Sequence, residues 1–189
     1  MNVFCYVDSP IGRLMLTSDG TALTGLYMNL YRNKPSKLPS LSDEWIQNAT
    51  IDPLPVAARQ LKEYFAGQRR EFNLPLRLAG TEFQQRVWRE LTRIPFGETR
   101  SYGQLAKRLN NPNGSRAVGL ANGRNPIAII VPCHRVIGAD GSLTGFGGGI
   151  ERKEWLLSHE GLPGTRELPL GDSAGSGSPL KYRSRSAAA

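Results

Sequence analysis

Between residues 2 and 28 apolar and polar positions alternate in short runs separated by turn residues. The runs Val3–Tyr6, Arg13–Thr17 and Ala22–Tyr27, divided by Ser9-Pro10-Ile11-Gly12 and Asp19-Gly20, predict a small antiparallel sheet. Residues 29–51 are mostly polar, carry Pro35 and Pro39, and read as a long connection. From Pro53 to Ala66 the period becomes helical. Leu54, Ala57, Ala58, Leu61, Tyr64 and Phe65 share a face, with Asp52 as expected N-cap, Pro53 in the first turn and Gly67 as stop. Phe72–Leu78 predicts one more strand.

The texture changes near Ala79. Thr81 and Gln84 form a capping-box pair, after which Phe83, Val87, Leu91 and Ile94 recur at helical spacing until Pro95. Ser101 with Gln104 repeats the device and opens a short helix through Leu105 and Leu109. A turn over residues 110–114 leads to a second short helix, about 115 to 122, closed by Gly123. Two short helices across a tight turn are a helix-turn-helix or an ordinary helical hairpin. A final helix spans about Glu151 to Glu160 with Gly161 as stop, and residues 165–189, rich in Gly, Ser and Pro, read as a disordered basic tail.

Composition narrows the classes. A chain of 189 residues holds one domain or two small ones. No apolar run reaches the ~18 residues of a membrane span, and Met1 to Tyr6 lacks the layout of a signal peptide, so a cytoplasmic location is expected, or a nuclear one in a eukaryote. The net charge of +8 points to a polyanionic partner or to a merely basic surface. Two cysteines far apart make no disulfide framework, and with Cys5 alone and no histidine before His134 the N-terminal part lacks a zinc ligand set; no metal and no cofactor are expected. Cys5 reads as a small apolar strand residue.

The densest chemistry lies in Pro132-Cys133-His134-Arg135, after the apolar run Ile127–Val131. A thiol becomes a nucleophile where a nearby base or cation favours its thiolate, and Cys133 beside His134 has that potential. Plain packing of a buried cysteine is the alternative. Were this segment helical, consecutive residues would diverge by about 100°, so the imidazole need not touch the thiol, and a bridging water would solve the geometry.

The stretch 81–161 resembles the methylated-DNA-protein-cysteine methyltransferases, also called O6-alkylguanine-DNA alkyltransferases. The resemblance rests on Ser101-Tyr102-Gly103-Gln104-Leu105-Ala106, Ser115-Arg116-Ala117-Val118-Gly119, Asn125-Pro126, Ile130-Val131-Pro132-Cys133-His134-Arg135-Val136-Ile137 and Lys153-Glu154-Trp155-Leu156-Leu157-Ser158-His159-Glu160-Gly161, in that order and spacing. It implies an α+β protein of two domains. Residues 1–78 would form a small α/β, ribonuclease-H-like domain with an antiparallel sheet. Residues 79–164 would form a mainly helical domain with a winged-helix-like helix-turn-helix.

The resemblance also implies a reaction: one irreversible transfer of an alkyl group from O6 of guanine, more weakly from O4 of thymine, to the protein's own cysteine. Cys133 would be the acceptor, with a relay through water to His134 and Glu160, and Tyr102 would donate a proton to the departing guanine. A carboxylate at a helix C-terminus is disfavoured by the helix dipole, so Glu160 is expected to have a local partner; His159 suits that helix end and is assigned a structural role. Arg116 would fill the stack vacated by an everted nucleotide, and Ala117 and Gly119, with Ala121, would leave a bare helix face for the minor groove. Ser101, Asn125 and Arg135 are placed among the DNA-contacting residues. Val136, Phe146, Gly147 and Gly148 would line the base pocket, although many relatives carry tyrosine and serine where this chain has Phe146 and Gly147. The expected partner is double-stranded DNA bearing alkylated bases, bound largely without sequence preference by a monomer, with cooperativity along DNA left open. Two other classes are compatible with parts of the chain: a lesion-binding module without chemistry, in which relatives of that kind replace the cysteine, and a thiol hydrolase, for which no oxyanion-hole signal is found.

Overall fold

Strand β2, Leu14–Ser18, is buried along its whole length between β1 (Asn2–Val7) and β3 (Leu23–Met28), and both pairings are antiparallel. This structure, a computed structural model, describes residues 2–28 and 45–162. A fourth strand, β4 (Trp45–Gln47), adds to the free edge of β1 in parallel, giving the order β3-β2-β1-β4. Its residues fall inside the stretch expected to be a loop; three residues with one partly buried side chain carry too little alternation to announce a strand. The rest of that expected loop from residue 29 to 44, and the expected tail at 165–189, lie outside the described residues.

Helix α1, Leu54–Phe65, packs on β1 and β2 through Leu54, Ala57, Leu61 and Tyr64, the face its spacing predicts. Asp52 does not cap it. Pro53 is the N-cap residue and no side chain accepts from the first turn; the Leu54 amide instead donates to the Ile51 carbonyl at 3.0 Å. Phe72–Leu78 does not form a strand. Its contribution is a single bridge, in which Leu23 N donates to Pro75 O and Arg77 N to Leu23 O, because Pro75 has no amide to extend a ladder.

The helical half begins with α2, Glu82–Leu91, whose capping box is complete: Thr81 N donates to Gln84 Oε1 (2.9 Å) and Gln84 N to Thr81 Oγ1 (3.3 Å). Strand β5 (Arg100–Ser101) leads into α3 (Tyr102–Arg108), a tight turn follows, and α4 runs Ser115–Gly123. Gly123 lies within α4 rather than beyond it, and the chain leaves through Arg124 at negative φ, so no left-handed glycine closes this helix. The buried indole of Trp88 holds the last turn of α4 by donating to Ala121 O at 2.9 Å.

A single 3-10 turn, Cys133–Arg135, runs into β6 (Val136–Ile137), which pairs in parallel with β5; α5, Ile150–His159, completes the described chain. Gly161, at φ 83°, ends α5 in the left-handed conformation that glycine adopts without steric cost. One continuous apolar core joins the sheet, α1 and the helical half. The halves are also stitched by backbone, since Leu26 on β3 accepts from Ala128 N and donates to Pro126 O.

Candidate active site

The β5–β6 pairing sets the start of α3 beside the 3-10 turn, and with it Tyr102 beside Cys133. Upstream, Ile129 takes φ of 69°, which a β-branched residue adopts only under constraint. The constraint is visible. Asn125 Nδ2 donates to Val131 O (2.7 Å) while its Oδ1 accepts from Ile127 N (3.0 Å), so one amide clasps both ends of the loop between α4 and the cysteine.

Cys133 is buried at 5% exposure, yet it lines a cleft of about 60 Å³ together with Asn122, Asn125, Met28 and the loop Gly145–Gly148. Phe146, Gly147 and Gly148, expected at the base pocket, line this cleft. Gly148 has a packing reason to lack a side chain, because a Cβ there would meet Met28 Sδ at 2.3 Å. Val136 stands elsewhere: it is fully buried in the core, outside the cleft lining, and its carbonyl accepts from Lys153 Nζ.

Behind the thiol lies a buried polar cluster. His134 Nε2 and Glu160 Oε1 are 2.9 Å apart, Arg135 donates to both carboxylate oxygens (Nε to Oε2 at 2.8 Å, one terminal nitrogen to Oε1 at 2.9 Å), and Tyr64 Oη donates to Oε1 at 2.8 Å. Burial would raise the Glu160 carboxyl, but His134 and Arg135 hold it down to about 2. It is therefore a pure acceptor at neutral pH, so the shared proton sits on His134 Nε2 and the other ring nitrogen, Nδ1, is a bare acceptor. That Nδ1 is buried and has no partner among the described residues. Complete burial pushes the His134 imidazole down, against the opposing pull of Glu160, so it remains neutral and able to take a proton.

Arg135 corrects an expectation. Expected on DNA, it is 6% exposed, and its guanidinium is occupied by Glu160 and the Ile94 carbonyl, so it orients the carboxylate instead. Ser101 is the N-cap of α3: its hydroxyl accepts from Gln104 N at 3.1 Å, and its own amide donates to Gln104 Oε1. Tyr102 Oη donates to Thr144 O at 3.2 Å, and burial raises its phenol above the ordinary range, which suits a proton donor rather than a phenolate. His159, assigned a structural role from sequence, stacks its ring on Trp155, and its Nε2 lies 2.7 Å from Tyr64 O.

On α4, Arg116 and Ala117 are exposed and Gly119 is half-buried, while Val118, Ala121 and Asn122 face inward. The outer face is less bare than expected. Ala121 points into the core, and Leu120, at 62% exposure, stands one turn beyond Arg116.

Four residues near this centre were absent from the sequence-based set. Tyr64 was read only as an apolar face member, and Lys153 only as part of a matching string. Lys153 is fully buried, donates to the Val136 and Thr144 carbonyls, and is pushed down to about 8 by burial against a pull from Cys133. A cation so placed favours a thiolate. Asn122 and Leu120 sit on the signal-poor helix α4; a polar residue at an inward position and a large apolar one at an outward position were the available cues.

Comparison with known proteins gives the same picture from outside. Residues 2–78 match the family model described as 6-O-methylguanine DNA methyltransferase, ribonuclease-like domain, and residues 82–162 that of the DNA binding domain of the same enzyme. The methylated-DNA–protein-cysteine methyltransferase of Mycobacterium bovis is 51% identical over 166 residues, covering 88% of this chain and 96% of its own. That of Methanosarcina acetivorans is 50% identical over 158 residues, covering 84% and 97%. Among solved structures, Mycobacterium tuberculosis OGT in complex with DNA superposes with a TM-score of 0.75 at 51% identity, covering 84% of this chain and 92% of that one. With both family domains matched in order, the chain belongs to the methylated-DNA–protein-cysteine methyltransferases.

Proposed function

We propose that this protein repairs alkylated DNA by direct reversal, carrying the alkyl group from O6 of guanine, and more weakly from O4 of thymine, onto Cys133 once per molecule. The observation that carries the reading is a thiol lining an open cleft, followed in the chain by a neutral imidazole whose Nδ1 is buried and has no partner among the described residues. In the step, the thiol proton passes through a water to His134 Nδ1 and the sulfur attacks the alkyl carbon. The carbon–O6 bond breaks, and its electron pair returns to the base as Tyr102 supplies a proton. Glu160, fixed by Arg135 and Tyr64, stabilises the imidazolium that forms. The product thioether has no leaving group, so the protein acts once.

The base reaches the sulfur only outside the helical stack. Exposed Arg116, with Ala117, Gly119 and Leu120 alongside, forms the face of α4 that enters the minor groove, and Arg116 fills the vacated place. No helix among the described residues is long and apolar enough to cross a membrane. The test is to mix the protein with a duplex containing O6-methylguanine and map the adduct by peptide mass. Methyl on the Cys133 peptide is the expected result; lesion binding without modification would identify a recognition module, and repeated turnover of an acyl ester a hydrolase.

A further inference from the structure

The loop that closes one side of the cleft is built mostly of glycine, at positions 145, 147, 148 and 149. A run of this kind has almost no side chains to pack and a permissive backbone, so its position is set by what grips its two ends. At the upstream end Thr144 O accepts from Tyr102 Oη (3.2 Å) and from Lys153 Nζ (2.8 Å), and all three residues belong to the DNA-binding half. The downstream end is held across the molecule. Gly148 O accepts from one terminal nitrogen of Arg152 at 3.3 Å, while Nε of the same guanidinium donates to Ile11 O at 2.8 Å in the ribonuclease-like half.

Ile11 is a firm mount. It is 4% exposed within the apolar core, and the turn after it is closed by Gly12 N donating to Ser9 O at 3.0 Å. Gly12 has φ of 100°, and a Cβ there would lie 3.3 Å from a terminal nitrogen of Arg152, so the glycine leaves space for the guanidinium. On the other side Gly148 rests so close to Met28 that no side chain fits between them. Met28 therefore stops the loop from moving closer to the sheet, and Arg152 stops it from moving away. In a cleft of about 60 Å³, a displacement by the width of one methylene changes which substituents fit beside the sulfur.

We propose that Arg152 is a positioning residue that limits the size of alkyl group the cleft accepts, by tying the glycine loop to the connection between β1 and β2. The inference rests on reading the cleft as the seat of the alkylated base. Arg152 itself is not among the residues lining the cleft, so it acts through Gly148. The range of substituents is then fixed in part from the half of the chain that carries neither the sulfur nor the helix pair.

The experiment reads single-turnover transfer to Cys133 from duplexes that carry either O6-methylguanine or O6-benzylguanine. The ratio of benzyl to methyl rates cancels any change in affinity for the duplex. Arg152→Met keeps the length of the side chain and removes its donors, so the ratio should rise at least about fivefold over the parent's. Arg152→Lys should keep the parent's ratio within about twofold, because one ammonium can serve two carbonyls, as Lys153 does in this structure. Gly12→Ala cuts the same tie from its far end, since its methyl presses on the guanidinium and its strained φ turns the Ile11 carbonyl away. It should raise the ratio too, and combined with Arg152→Met it should add nothing. Benzyl and methyl rates that fall together in Arg152→Met, with the ratio unchanged, overturn the proposal. So does a lysine variant that matches the methionine one, or a Gly12→Ala protein with the parent's ratio or an effect that adds to Arg152→Met. Absence of transfer from O6-methylguanine by the intact protein is a different result, and overturns the alkyl-transfer reading itself.

Discussion

Tyr64 and Glu160 stand 96 positions apart, in the two matched domains, and the phenol of the first donates to Oε1 of the second at 2.8 Å. The same oxygen serves His134 and Arg135. In Tyr64→Phe one donor is withdrawn, the carboxylate becomes a better acceptor for the imidazole, and the His134 imidazolium is favoured. The acidic limb of the transfer rate should therefore move to higher pH, with a stability loss of about 1–3 kcal/mol. A rate profile superimposable on the parent's would show that Tyr64 only fills space.

Removing the Glu160 charge strands a guanidinium. Glu160→Gln leaves Arg135 buried without a counter-charge, which costs about 3–5 kcal/mol in urea unfolding. Transfer should slow as well, since the imidazolium formed at His134 loses the carboxylate charge that stabilises it.

Arg135 itself separates two roles cleanly. If its guanidinium serves Glu160 and not phosphate, Arg135→Met lowers stability but leaves the salt dependence of DNA affinity unchanged. A phosphate contact would instead reduce the slope of log K against log salt by about 0.9. That slope is the measurement.

Acid should unfold this protein through the relay. Glu160 is held near 2, below its ordinary 4.5, so its stabilisation is complete above pH 4.5 and is lost as pH falls towards 2. His134 is depressed below 6.5, so the unfolded chain takes up that proton first and erosion starts below about that pH. Both act in the same direction. Urea midpoints should fall from pH 7 to pH 3, and Glu160→Gln should flatten the lower part of the curve.

Arg116→Ala should weaken repair in duplex DNA more than transfer from the free methylated base, because only the duplex needs its stack refilled. Leu120→Ser should follow the same pattern more weakly. Equal losses on both substrates would remove α4 from the eversion step.

Local signals carried most of the framework. The two capping boxes, the apolar face of α1 and the Pro132–Arg135 string were written in adjacent residues, and each reappears as an element of the structure. What escaped depends on distant pairing. β4 exists because β1 has an open edge, and Phe72–Leu78 fails as a strand because a proline meets β3 there. Arg135 looked like one more cation until folding placed Ile94 and Glu160 around it. Tyr64 reads as one more apolar face residue until α5 brings a carboxylate to its hydroxyl.

Arg152 draws a last consequence from the way the sheet and the helices meet. Its guanidinium donates to Ile11 O in the turn between β1 and β2 and to Gly148 O in the loop over the cleft, while Met28 packs against that same glycine. A fragment starting near Ala79 would keep its sulfur and its helix pair but lose the wall, the tether and the phenol that the first 78 residues supply. In this chain the ribonuclease-like half is masonry of the cleft beside Cys133, and cutting it away opens the room.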